Sequence, residues 1–252
     1  MTKPKIGLQV FSMRDIWAKN PIEAFQIAKD CGYDAVEGIG RFTMGANELR
    51  KVLDDFGLEC CGWHTPWEYL SKPDLLEMCI AYNQIIGNKY IITTGFSSEY
   101  WENKEKWLEG CEKGNEISAR LKKDGMFLGV HFEPSARFSV KETGELYWDI
   151  LVGKTADFDV VMQLDTGNSY AGGYEPVAVL KKHKNRYQTV HFKPYSLTKN
   201  YNAPIGEDDT DWAEMVKYLK EYGDTEYFII EYEQPDAKAG VKTCIDYIRK
   251  II

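Results

Sequence analysis

Short apolar runs alternate with stretches of helical spacing along the whole chain, and few architectures accept that order. It is the pattern of repeated βα units feeding a parallel sheet. Residues 5–11, 34–37, 59–64, 89–94, 126–133, 160–165, 187–193 and 227–233 read as strands. Between them, Pro21 to Gly32, Ala46 to Phe56, Asp74 to Gly87, Asn103 to Lys123, Glu145 to Val152, Glu175 to His183, Asp211 to Tyr222 and Asp236 to Lys250 read as helices. Asn20-Pro21 supplies a cap and a first-turn proline, and Gly32 a stop. Eight strands and eight helices in 252 residues predict an α/β fold, a (β/α)8 TIM barrel forming one domain over residues 1–252. A doubly wound open sheet would want a glycine-rich phosphate turn after the first strand. The chain instead reads Phe11-Ser12-Met13-Arg14-Asp15 there. The longest connection, 194–210, follows strand 7 and is expected over the barrel mouth.

Strand side chains alternate between two faces. On strand 5, Leu128, Val130 and Phe132 are apolar and predicted to face helices, leaving Gly129, His131 and Glu133 inward. The same parity turns Gln163 and Asp165, His191 and Lys193, and Glu231 and Glu233 inward on strands 6 to 8. Buried carboxylates are costly unless paired or bound to a cation. Glu133, Asp165, His191 and Glu231, gathered at the C-terminal ends of adjacent strands, therefore predict one divalent metal ion, with Mn, Zn, Co and Mg all compatible. The competing explanation is internal ion pairing to Lys193 or Arg137, or a position above the barrel in solvent.

Strand 3 ends in Cys60-Cys61-Gly62-Trp63-His64. With Cys61 and Trp63 outward, Gly62 and His64 face the interior. His64 then becomes a candidate for binding a substrate hydroxyl or carrying a proton. Gln9 and Glu37 are further candidate substrate contacts, and Trp67, Phe11 and Trp101 are candidate rings for stacking on a sugar.

A net charge of −8 argues against non-specific nucleic-acid binding. No apolar run approaches a membrane span, and no secretory pattern follows the first residues. Six scattered cysteines without metal spacing are expected as reduced, mostly buried thiols, so a cytoplasmic location is expected.

From Gly7-Leu8-Gln9-Val10-Phe11-Ser12-Met13-Arg14-Asp15, through Gly32-Tyr33-Asp34-Ala35-Val36-Glu37, Leu164-Asp165-Thr166-Gly167-Asn168, Val190-His191-Phe192-Lys193 and Ile205-Gly206-Glu207-Asp208-Asp209-Thr210-Asp211-Trp212, to Ile229-Ile230-Glu231, the chain resembles the sugar phosphate isomerase/epimerase family of the xylose-isomerase-like barrels. The resemblance implies a metal held by Glu133, Asp165, His191 and Glu231, the set that strand parity also selects. Two positions depart from the family pattern. After His131-Phe132-Glu133 no later carboxylate replaces the one many members carry, and Pro194 stands where members often have aspartate. Relatives are commonly dimers or tetramers, so a homo-oligomer is also expected.

Such a site would suit a metal-dependent isomerase or epimerase of a keto-sugar or related polyol, working by proton abstraction α to a metal-bound carbonyl through an enediolate. Glu133 and Glu231 are the expected acid–base pair, Lys193 the oxyanion partner, and His131 with His64 the proton carriers. The same carbanion with a β leaving group would make the protein a lyase or dehydratase acting on a 3-keto-glycoside. A non-catalytic sugar-binding or partner subunit on the same scaffold is the reading of another class.

Overall fold

A computed structural model describes residues 3–133, 139–140 and 143–252. Eight strands, β1 (Lys5–Gln9), β2 (Ala35–Ile39), β3 (Glu59–His64), β4 (Tyr90–Thr93), β5 (Phe127–His131), β6 (Val161–Asp165), β7 (Thr189–Phe192) and β8 (Tyr227–Ile230), pair in parallel and in order. The barrel closes by pairing of β1 with β8. The eight predicted helices are present as α2 (Pro21–Cys31), α3 (Ala46–Phe56), α5 (Pro73–Ile86), α6 (Lys104–Lys122), α7 (Tyr147–Lys154), α9 (Pro176–Lys182), α10 (Trp212–Tyr222) and α11 (Ala237–Ile251). Three short helices add to that count in the βα connections, α1 (Arg14–Lys19), α4 (Trp67–Leu70) and α8 (Thr166–Ala171). Among the described residues no helix is long and apolar enough to cross a membrane.

Local chemistry sets the boundaries. Pro21 opens α2 behind the Asn20 side chain, which accepts from the Glu23 amide, and Gly32 ends it at a positive φ of 87°. Asn103 and Asp211 cap α6 and α10 in the same way as Asn20. The strands end earlier than predicted on β1, β4, β5, β7 and β8, because the parallel ladder gives out as the chain leaves the barrel rim.

Burial follows the predicted parity. Leu128, Val130, Phe132, Met162, Leu164, Val190, Phe192, Phe228 and Ile230 all join the main core between sheet and helices. Two separate apolar clusters fill the barrel interior: Ala35, Cys61 and Ile229, and Tyr90, Ile92 and Val161. Cys61 therefore points inward, against expectation. The cause is a register shift: Val36 pairs with Cys60 but Glu37 pairs with Gly62, leaving Cys61 as an extra residue on β3. The bulge restores the expected faces beyond it, with Trp63 in the outer core and His64 at the interior. All six cysteines are free thiols and five are buried.

Candidate metal centre and substrate cavity

Above the apolar plug the interior turns polar. Glu37 is wholly buried and sits at the base of the cluster. Its Oε2 accepts from Gln9 Nε2 at 2.6 Å and from His191 Nε2 at 2.5 Å, and its Oε1 from Gln163 Nε2 at 2.7 Å. Burial works to raise its pKa, but His64 and His191 outweigh it and hold the carboxyl well below its ordinary range. The carboxylate needs space on β3, and Gly62 provides it: a Cβ there would lie 2.5 Å from Glu37 Oε1.

His191 spans two carboxylates. Opposite Glu37, its Nδ1 lies 2.6 Å from Glu231 Oε2 and 3.9 Å from Asp165 Oδ2. Burial would lower its pKa, but Glu37 and Glu231 dominate and push it up to about 10. Asp165 divides its labour. Oδ1 accepts from the Asn168 amide at 2.7 Å and caps α8. Oδ2 is buried and has no hydrogen-bond partner among the described residues. Desolvation pushes this carboxyl up to about 7, although Lys193 pulls the other way. His131 is buried beside it, with Nδ1 2.9 Å from Gln163 Oε1 and Nε2 3.6 Å from Asp165 Oδ2. Burial, then the neighbouring imidazoles, hold His131 well below its ordinary pKa, so it is neutral.

Lys193 is the internal cation foreseen as the alternative to a metal. Its Nζ pairs with Glu233, lies 3.2 Å from Glu231 Oε1 and stands 3.7 Å from Asp165 Oδ2. The last distance is too long for a hydrogen bond. One ammonium thus serves the two glutamates closely and reaches Asp165 Oδ2 only as a distant charge, leaving that oxygen without a hydrogen bond among the described residues. Arg137, the other cation considered, lies outside the described residues. Among the described residues two donor sets converge with ligand atoms within 4.8 Å of one another, the three imidazoles of His64, His131 and His191 and the mixed set of His131, Asp165, His191 and Glu231. Nitrogen and oxygen donors with a buried orphan carboxylate oxygen fit a divalent cation.

Three of the four ligands read from the sequence are in the mixed set. Glu133 is not. Its carboxylate is 3.9 Å from His131 Nε2, its side chain is about one-third exposed (34%), and it stands on the wall of the cavity above. His131, given a proton-carrier role from the sequence, takes the position closest to Asp165. The cavity at the mouth, of about 410 Å³, is lined by Gln9, Phe11, His64, His131, Glu133, Lys193, Glu231 and Glu233, with Tyr201 and Asn168. Gln9, His64, Lys193 and Phe11, the candidate substrate and catalytic contacts, thus line this cavity. Glu37 lies beneath it with its hydrogen bonds satisfied inside the protein. Trp67 packs on Phe96 at 4.8 Å between centroids, and Trp101 on Trp107 at 4.4 Å, both away from the cavity wall.

The 194–210 connection does reach the mouth, through Tyr201. Its hydroxyl donates to Asn168 Oδ1 at 3.1 Å, and Lys193 Nζ lies 5.2 Å from its ring centroid. Tyr201, Asn168 and Glu233 were not singled out as site residues. Glu233 shares the inward parity of Glu231 and was within reach of that reasoning; the other two come from α8 and a loop, where no periodicity applies.

Residues 25–251 match the family model described as xylose isomerase-like TIM barrel. The chain is 25% identical over 274 residues to the inosose dehydratase of Clostridium beijerinckii, spanning 93% of this chain and 90% of that one. A sugar phosphate isomerase/epimerase from Parabacteroides distasonis superposes with a TM-score of 0.80 at 21% identity, covering 98% of each chain. An L-ribulose 3-epimerase superposes with a TM-score of 0.76 at 16% identity, over 98% of this chain and 94% of the other. At these identities the two solved structures speak for the fold alone.

Proposed function

The chain belongs to the xylose isomerase-like TIM barrel family, and from its site we propose that it is a divalent-metal-dependent isomerase or epimerase. Its substrate is an unphosphorylated keto-sugar or related polyol, from which it removes and returns the proton α to the carbonyl. One observation carries this reading. Among the described residues Asp165 Oδ2 is buried without a hydrogen-bond partner and faces His131 Nε2 across 3.6 Å, a gap between two acceptors that a cation or a proton would fill. His131, Asp165, His191 and Glu231 would hold the ion. When bound, it would supply a Lewis acid for a substrate oxygen.

The chain's own groups then have separate tasks. Glu133 stands on the cavity wall with its pKa raised, first by burial, which suits a group that must both take and give a proton. Glu231, from the far side of the barrel, lines the same cavity and supplies the second carboxylate that inversion at one carbon requires. Lys193, held protonated by Glu231, Asp165 and Glu233 against its burial, offers a fixed positive charge to an oxygen that gains negative charge. Thr166 fixes that lysine: its hydroxyl donates to the Lys193 carbonyl at 2.7 Å and accepts from the Lys193 amide at 2.9 Å. Glu133, Glu231 and Glu233 around one lysine would repel a phosphate dianion, hence the unphosphorylated substrate. Phe11 and Tyr201 give the cavity apolar faces suited to sugar C–H groups.

Loss of a β-hydroxyl from the same carbanion is the second reading, favoured by the dehydratase among the relatives at 25% identity. Product analysis on keto-sugars and inososes separates return of the proton from release of water. For the shared step, Glu133→Gln and Glu231→Gln should each slow exchange of substrate C–H with deuterated solvent by about 100-fold or more with metal retained. Undiminished exchange in both variants would contradict the proposal.

A further inference from the structure

Gln163 neither lines the cavity nor belongs to the candidate ligands, yet it is wholly buried and makes four hydrogen bonds at the centre of the barrel. Its polarity is forced from below. Glu37 already accepts from Gln9 and His191, and as a carboxylate it can only accept. The end of the Gln163 amide 2.7 Å from Glu37 Oε1 is therefore the NH2, which also reaches Thr189 Oγ1 at 3.1 Å. The carbonyl oxygen is left to face His131 Nδ1 at 2.9 Å and His64 Nε2 at 2.8 Å. A carbonyl cannot donate, so both ring nitrogens must carry hydrogen.

We propose that Gln163 is a positioning residue that, oriented by Glu37, fixes the protonated nitrogen of His131 and His64 and so presents the bare Nε2 of His131 to the metal position. The inference rests on the metal-centre reading above. An imidazole that binds a cation is neutral and keeps one N–H; with that hydrogen pinned on Nδ1, only Nε2 has a lone pair to give. Glu37 does the same for His191 from the opposite side. By accepting from Nε2 at 2.5 Å it leaves Nδ1 towards Glu231 and Asp165. One carboxylate and one amide thus set three imidazoles, and Gly62 leaves the space in which the carboxylate sits. His64 thereby turns its Nε2 to Gln163 in a ring that lines the cavity.

The test is nitrogen-15 NMR of the full-length, chelator-treated protein, whose four histidines give a short spectrum. The expected result is His131 protonated on Nδ1 and bare on Nε2, with the Nε2 resonance moving when zinc is added. In Gln163→Met, of similar length but without polar atoms, His131 should populate both tautomers and zinc affinity should fall about 10–100-fold while far-ultraviolet circular dichroism is unchanged. A wild-type His131 carrying its proton on Nε2 overturns the inference. So does a Gln163→Met protein that keeps both the tautomer and the affinity. Should Gln163→Met not fold, the wild-type spectrum alone decides. A wild-type protein with the expected tautomers that binds no zinc overturns the metal-centre reading instead, so the two failures are distinguishable.

Discussion

Glu133 stands two residues beyond His131, the last residue of β5, and the difference in depth between them shows how far residue-level reasoning reaches. Alternation fixes the face of a side chain. It does not fix its depth, and two residues of strand span about 6.6 Å. The deeper residue, His131, meets both Asp165 and the cavity, and the shallower one, Glu133, meets the cavity and is partly exposed. Glu37 shows the same limit: its inward face was legible, its depth below the cavity was not. Cys61 shows a different limit, since an inserted residue has no period and a cysteine suits either face. The bulge nevertheless makes a firm prediction. Gly62→Ala would drive a methyl group into Glu37, which is held by three donors and cannot yield without breaking one. The expected cost is about 1–3 kcal/mol, visible as a lower midpoint in urea with an unchanged slope. An unchanged midpoint would mean that the carboxylate is free to move.

Among elements, those with a long amphipathic period were the most legible: α3, α10 and α11 carry their buried leucines, methionines and isoleucines at helical spacing. The helices α1, α4 and α8, of six, four and six residues, are too short to show a period. The motif around Asp208 was legible as a signature but not as a device. Asp208 Oδ1 accepts from Trp212 Nε1 at 2.8 Å and from the Gly206 amide at 3.0 Å, tying the loop that delivers Tyr201 to the start of α10. Packing between β8 and α11 gives a second test. Gly240 lies in α11 against the ring of Tyr232, which is 5% exposed and donates its hydroxyl to Asp236 at 2.9 Å. Alanine would gain about 1 kcal/mol in helix propensity, but the Cβ would overlap the ring, and overpacking costs about 1–3 kcal/mol. Gly240→Ala should therefore melt lower than wild type by a few degrees; a higher melting temperature would show that the ring moves aside at no cost.

At the scale of the whole molecule, five carboxylates among the described residues, Glu37, Glu133, Asp165, Glu231 and Glu233, surround Lys193 and the charged imidazole of His191 at the barrel's upper end. The barrel was legible from its alternation of elements, and the excess of inward acid from strand parity; the depth of each group needed the closed register. Without an ion, the raised pKa of Asp165 works against the fold as pH climbs from 3.8 to about 7, because the folded state then holds a proton that the unfolded chain would release. Binding a dication removes that penalty, and it also expels the proton that His191 keeps up to about 10. Below the Asp165 transition two protons leave per ion, and above it one. The most direct measurement is calorimetric titration of manganese into chelator-treated protein on either side of pH 7, with Asp165→Asn in parallel. Asparagine keeps the oxygen that caps α8 and can turn its NH2 towards His131, so that variant should fold. One ion per chain is predicted, with affinity rising about 100-fold per pH unit below the transition, about tenfold above it, and falling at least about 100-fold in Asp165→Asn. Tight binding that ignores both pH and the loss of Asp165, or no binding in the wild-type protein, would contradict a dication seated among His131, Asp165, His191 and Glu231.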